Sequence, residues 1–340
     1  MKIALDVMGG DYAPQNPIGG VKLALESLPE IEKIFLVGQP EVVKAELKRQ
    51  GIELSEKLEI VAASQVVDMS DSGLDAVRRK KDSSVSVAVN LVKEGRADAM
   101  VSAGHTGAAV TASLIKLRTL PGVLRPAIAA IMPSLTTSWI LIDAGANPDT
   151  TPEQMVQNAI MGSAYARHVL NIENPRVGLM SNGTEEDKGN ELCKASAKLL
   201  REEKSITFIG NVEGHDLWEH PPEVVVCDGF TGNITLKTSE ALAKAIFKMV
   251  KQEIYAGTLT KIGGMLAKPA FKEVHRKTNA DEQGGMPLLG LNGVTIISHG
   301  GASAYAMKNA MRMACVSVKQ QVQPHLEEAI SKSVNLPLLA

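Results

Sequence analysis

Between Val101 and Ala108 the chain reads Val101-Ser102-Ala103-Gly104-His105-Thr106-Gly107-Ala108. Two glycines, Gly104 and Gly107, let a ligand approach the backbone, while Ser102, His105 and Thr106 add side-chain donors. The apolar run 97–101 before this segment reads as a strand, and 109–115 after it reads as a helix. A strand that restarts as a helix after a small-residue turn leaves free N–H groups there, at the positive end of the helix dipole. Such a turn is a candidate anion cradle, most naturally for phosphate. The spacing is neither G-x-G-x-x-G nor a Walker loop, since no Lys-Ser/Thr follows the glycines. The competing reading is a tight turn whose glycines serve packing alone.

The same character recurs after other strand-like runs. Asp6-Val7-Met8-Gly9-Gly10-Asp11 follows the first, and Asp143-Ala144-Gly145-Ala146-Asn147 follows a run at 139–142. Ser181-Asn182-Gly183-Thr184-Glu185-Glu186-Asp187-Lys188-Gly189-Asn190 follows 177–180. Asp228-Gly229-Phe230-Thr231-Gly232-Asn233 and Ser298-His299-Gly300-Gly301-Ala302-Ser303 follow 224–227 and 294–297. One such loop is an ordinary turn. Six at one end of a parallel sheet predict a single cleft, with Gly9 and Gly10 among its backbone donors and Asp6, Asp11, Asn182, Asp228 and Gly229 lining it. Lys188 lies among glycines at an expected helix start, where a cation opposes the dipole and a bound anion would explain it. An exposed lysine is the plain alternative. His105 and His299 could act as general acid–base groups or only as hydrogen-bonding residues. Asp6, Asp11, Asp143 and Asp228 are oxygen donors without metal-specific spacing, and no metal or cofactor is expected.

These residues must be carried by a regular alternation of short strands and helices, which predicts a largely parallel sheet covered on both faces. With 340 residues the chain is long enough for one big domain or two lobes, and a single large α/β unit over 1–330 is expected, with any division into lobes near 148–152. Cys193, Cys227 and Cys315 lie far apart without metal or pairing spacing, which fits a reducing cytoplasm and core roles. A net charge of −2 and 3% aromatics argue against a nucleic-acid binder. No apolar run reaches the roughly 20 residues needed to span a bilayer. The run Arg78-Arg79-Lys80-Lys81 leads into a helix at 83–93 and could steer an anionic substrate or acidic partner. After an expected helix at 234–255, the segment 255–280 reads as a protruding helical hairpin. Between Lys244 and Lys277, eight basic residues face two acids, Glu253 and Glu273. Leu259, Ile262, Leu266 and Phe271, mixed with Lys268 and Lys272, could lie on an anionic membrane or dock an acidic protein. A dimer-contact helix pair with solvated lysines is the alternative. A single long apolar-faced helix is expected over 302–330.

Taken in order, these motifs resemble the bacterial phosphate acyltransferase family PlsX over about residues 1–320. The resemblance rests on the loops at 6–11, 101–108, 143–147, 183–190 and 228–233, on 76–84, and on His299-Gly300. It implies a three-layer α/β/α fold similar to phosphotransacetylases and isocitrate/isopropylmalate dehydrogenases. It also implies transfer of a long acyl chain from acyl carrier protein to inorganic phosphate. The acyl phosphate would be used by a membrane glycerol-3-phosphate acyltransferase for phosphatidic acid. The family is a cytoplasmic homodimer associated peripherally with the cell membrane. It usually has Asn where this chain has His105, and a His-Gly-Ser-Ser loop where this chain has His299-Gly300-Gly301-Ala302.

Direct attack of phosphate on the thioester needs no covalent enzyme intermediate, only positioning and oxyanion stabilisation. The expected assignment seats phosphate on Ser102, Gly104, Thr106 and Gly107, with Lys188 and Asn233 stabilising phosphate or the oxyanion. His105 or His299 would protonate the thiolate. The rivals are a short-chain phosphotransacetylase using acyl-coenzyme A, a β-decarboxylating dehydrogenase, and a non-catalytic acyl-binding membrane scaffold.

Overall fold

The computed structural model describes residues 1–68 and 70–333. Among them, the strands are β1 (Lys2–Asp6), β2 (Lys33–Gly38), β3 (Leu58–Ala62), β4 (Ala99–Ser102), β5 (Ala127–Met132), β6 (Trp139–Ile142), β7 (Arg176–Met180), β8 (Thr207–Val212), β9 (Val224–Val226), β10 (Met286–Leu289) and β11 (Val294–Ile297). The helices are α1 (Gln15–Ser27), α2 (Pro40–Arg49), α3 (Gly73–Arg79), α4 (Ser84–Lys93), α5 (Thr106–Leu117), α6 (Pro152–Val169), α7 (Glu191–Glu202), α8 (Asp216–Glu219), α9 (Gly229–Ala256), α10 (Thr258–Thr278), α11 (Ala280–Gln283), α12 (Ala304–Lys319) and α13 (Val322–Ser331).

All strands join one sheet in the order β3-β2-β1-β4-β11-β10-β5-β6-β9-β7-β8. The alternation along β1 shows how it is covered. Ile3 and Leu5 point into a core shared with α1, α2, α6, α7, α12 and α13, while Ala4 points into a second core under α4 and α5. The β1 residues Ile3, Ala4 and Leu5 are each at most 1% exposed, as expected for a strand buried on both faces.

The sheet contains two parallel blocks. β3, β2, β1, β4 and β11 run together, and so do β6, β9, β7 and β8. Between them, β10 is antiparallel to β11, β5 to β10, and β6 to β5. Three successive reversals make the second block run opposite to the first. The expected single rim is therefore overturned: the carboxyl ends of β1, β4 and β11 lie at one edge of the sheet, and those of β6, β7 and β9 at the other. The reason is local. The six residues between β5 and β6 are too few for a parallel crossover, so the pair closes as a hairpin.

Two helical expectations change. The segment 302–330 is broken at Gln321, which adopts a left-handed φ of 47°, and Pro324 falls in the first turn of α13, where its missing N–H is harmless. The hairpin is longer than 255–280: its arms are α9 and α10, turning at Gly257. Only Gly229 and Gly232 of α9, and no residue of α10, are buried. No helix among the described residues is long and apolar enough to cross a membrane.

Candidate active site

Each parallel block has its own switch point. In the first, β2 and β3 lie on one side of β1 and β4 on the other; in the second, β9 returns between β6 and β7. Ligands of wound sheets bind outside the carboxyl ends of strands at such points.

The first crevice carries the loops at 6–11, 102–107 and 298–303, and several of its donors are already engaged. Asp6 is 2% exposed. The Ser102 hydroxyl donates to Asp6 Oδ2 at 2.7 Å and accepts from the Gly104 N–H at 3.1 Å. The Met8 N–H donates to Asp6 Oδ1 at 3.2 Å. Burial pushes the Asp6 carboxyl above its usual range, against lowering hydrogen bonds from Ser84 and Ser102. A Cβ on Gly9 would fall 2.6 Å from Asp6 Oδ2 and 2.8 Å from the Gly104 nitrogen, so only glycine lets the loops meet. Gly10 has φ +108°, and the Asp11 N–H donates to the Gly300 carbonyl at 2.8 Å. His105 caps α5, its Nδ1 accepting from the Ala108 N–H at 3.1 Å. Gly107 packs on Gly73, where an added Cβ would fall 2.7 Å from the Gly107 carbonyl carbon. Thr106 is exposed. The expected phosphate cradle thus spends its Ser102, Gly104 and Ala108 donors on the protein itself. The N–H groups of Thr106 and Gly107 and the Thr106 hydroxyl have no hydrogen-bond partner among the described residues. His299 Nδ1 accepts from the Gly301 N–H at 3.0 Å.

The second crevice is organised by another carboxylate at a strand end. Asp143, fully buried after β6, accepts from the N–H groups of Ile128, Gly145, Ala146 and Asn147 and from the Asn147 side chain, at 2.8–3.1 Å. Burial raises its pKa against these bonds. The N-termini of α6, α7 and α9 follow β6, β7 and β9 at this edge. Asn190 caps α7 through the Cys193 N–H at 2.9 Å, and Asp228 caps α9 through the Thr231 N–H at 2.8 Å. Asn182 closes the long loop, accepting from the Gly189 N–H at 2.8 Å. Gly229 must be glycine, since a Cβ would fall 2.5 Å from the Asn147 carbonyl oxygen.

Here several donors stay free. A cavity of about 600 Å³ opens between the loops, lined by Ser181, Asn182, Gly189, Asn190, Asp228 and Thr231 among others. The Ser181 hydroxyl is buried without a hydrogen-bond partner among the described residues. Lys188 is exposed, its stem lying over Gly183, and its ammonium has no partner among the described residues. The Asn233 side chain lies against Gly145, where a Cβ would fall 3.2 Å from Asn233 Cγ, and its amide also has no partner among the described residues. Neither Lys188 nor Asn233 is among the residues that line the cavity; in sequence Lys188 precedes its lining residue Gly189, and on α9 Asn233 lies two residues after its lining residue Thr231. Ser181, absent from the expected site residues, belongs to it by position as the first residue after β7. Cys193 also lines the cavity, but burial raises its thiol pKa, which leaves it a poor nucleophile.

No hydrogen bond or ion pair among the described residues links the two crevices, and the four aspartates weighed as metal ligands are divided between them. Among the described residues, no group of three or more His, Cys, Asp or Glu could hold a metal ion. In the basic run, Lys80 is already engaged, by Asp71 at 2.6 Å and Asp68 at 3.3 Å. Arg78, Arg79 and Lys81 are exposed.

The family model "Fatty acid synthesis protein" matches residues 1–325. The chain is 48% identical over 345 residues to a phosphate acyltransferase of Akkermansia muciniphila, covering 100% of this chain and 99% of that one. It is 47% identical over 336 residues to a phosphate acyltransferase of Desulfitobacterium hafniense, covering 98% of each. In fold it is similar to a phosphotransacetylase from Streptococcus pyogenes, with TM-score 0.60 at 18% identity over 98% of this chain and 94% of that one. The EutD phosphotransacetylase from Staphylococcus aureus gives TM-score 0.59 at 17% identity, over 95% and 94%.

Proposed function

Since this chain belongs to the PlsX family of phosphate acyltransferases, we propose that its acyl donor is a long-chain acyl-acyl carrier protein and that the reaction occurs at the second crevice. The observation that carries the placement is the set of unpartnered donors there: the Ser181 hydroxyl, the Lys188 ammonium and the Asn233 amide. Phosphate sits between the loops after β7 and β9, against the first turn of α7 and the Lys188 ammonium. A phosphate oxygen attacks the thioester carbon, the new C–O bond replaces C–S, and the electron pair leaves on sulfur. Lys188 and Asn233 hold the charge that develops on the carbonyl oxygen, where preorganised donors act most strongly. The thiolate is a good leaving group and takes its proton from solvent. His105 and His299 retain one uncommitted ring nitrogen each and are not required for this step.

The carrier docks through Arg78, Arg79 and Lys81 and the hairpin lysines Lys268 and Lys272. The tip residues Leu259, Ile262, Leu266 and Phe271 meet an anionic membrane surface on the cytoplasmic side. The exposed α9 face, with Leu242, Ile246 and Met249 at least 48% exposed, joins a second copy in a homodimer. The acyl phosphate passes to a membrane glycerol-3-phosphate acyltransferase. Incubation with palmitoyl-carrier protein and labelled phosphate should yield labelled acyl phosphate. Turnover of acyl-coenzyme A but not of the carrier thioester would instead establish the phosphotransacetylase reading. Charge reversal at Arg78, Arg79 and Lys81 should raise the carrier's KM and flatten its salt dependence.

A further inference from the structure

A second cavity, of about 400 Å³, lies between the hairpin root and the junction of the two sheet blocks. Its sheet side is Ile131, Met132, Pro133 and Met286. Leu236, Ser239 and Ala243 of α9 and Val274 of α10 cover it, with Trp218 and Leu135 at one side. Lys277, Asn279 and His299 also line it and are polar. The size is that of a small-ligand site.

The position along α9 gives it an occupant. Asn233, Leu236, Glu240 and Ala243 are spaced by three, four and three residues, so they share one face of the helix. The three after Asn233 line the cavity. From Asn233 to Ala243 that face rises by about 15 Å. A group held at Asn233 by its carbonyl therefore has an apolar hollow next to it on the same helix face. We propose that this cavity receives the acyl chain of the substrate, with the thioester carbonyl at the Asn233 end and the methylenes running beneath α9 towards Ala243. This rests on the placement of the reaction beside Asn233 given above. It adds that chain-length preference is set by the α9 residues facing the sheet, away from the reacting atoms.

The test fills the hollow. In the full-length protein, Ala243→Phe should lower kcat/KM for palmitoyl-carrier protein about tenfold or more. Each methylene kept out of an apolar site forfeits about fourfold in affinity. The same variant should leave butyryl-carrier protein within about twofold and the phosphate KM unchanged. Ser239→Phe, one turn nearer Asn233, should cut off at a shorter chain. A readout independent of turnover is quenching of tryptophan emission by dibrominated stearate, since Trp218 lines the cavity. Quenching should saturate in the wild type and be lost in Ala243→Phe. Equal losses on long and short chains, or undiminished quenching in both filled variants, would overturn the assignment. Wild-type protein that makes no acyl phosphate from any carrier thioester would strike the proposed function instead, and the quenching comparison would still decide the cavity.

Discussion

The two crevices are built alike and end in different states. Each lies at a switch point, each has an aspartate at a strand end (Asp6 as the last residue of β1, Asp143 just after β6), and each starts a capped helix beside it. In the first, the loops fold onto Asp6 so closely that Gly9 has no room for a Cβ, and the Ser102 hydroxyl and the Met8 N–H serve the carboxylate. In the second, Asp143 binds its own loop, and the neighbouring loops at 181–190 and 228–233 stand apart around a cavity. Glycine- and aspartate-rich turns thus describe how a crevice is made. Whether its donors remain available for a ligand depends on which internal acceptor reaches them first.

The comparison can be broken most forcefully at its aspartates. Asp143→Ala strips the acceptor from four backbone N–H groups and one side-chain amide, and should cost about 3–5 kcal/mol of stability. Asp6→Ala, with fewer donors to orphan, should cost about 1–3 kcal/mol. Denaturant unfolding measures both, and a reversed order would show that the first crevice is the more tightly organised. Lys188→Ala should raise the barrier to acyl-phosphate formation by about 2–4 kcal/mol with little change in unfolding midpoint, since the ammonium has no partner among the described residues. Full turnover by that variant would move the reaction away from the second crevice. A smaller effect separates the cap from the chemistry at His105. His105→Ala should cost about 1 kcal/mol of stability through loss of the α5 cap. His105→Asn, whose side chain caps equally well, should cost almost none.

Much of the fold could be read from the chain. The βα alternation, the loop positions and the apolar hairpin were all legible, because burial on both faces leaves continuous apolar runs and capping leaves Asp or Asn at helix starts. Strand direction was less accessible. β10 is a four-residue strand containing Pro287, which reads poorly as a strand, yet it supplies two of the three reversals. The third was available, since the six residues between β5 and β6 already required a hairpin. At the proposed site, Lys188 stood out as a cation among glycines at a helix start. The engagement of Ser102 by Asp6 could not, because it joins residues 96 apart in sequence.

The smallest effect concerns the block that carries the open crevice, at the edge away from it. Glu223, before β9, accepts from the Arg176 guanidinium at 2.7 Å and from the Arg176 N–H at 2.7 Å, tying the starts of β7 and β9 together. Burial raises the Glu223 pKa, but the Arg176 side-chain and backbone hydrogen bonds outweigh it and hold the carboxyl below its ordinary 4.5. A carboxyl lowered in the folded state binds its proton more readily when the chain unfolds. Its contribution is therefore complete above the unfolded value and is lost as pH falls through the folded one. Unfolding midpoints between neutral pH and pH 3 should show the wild type losing this increment below about pH 4.5, while Glu223→Gln follows a flatter acid limb. Parallel acid limbs would mean that the Arg176 pairing does not hold the second block together.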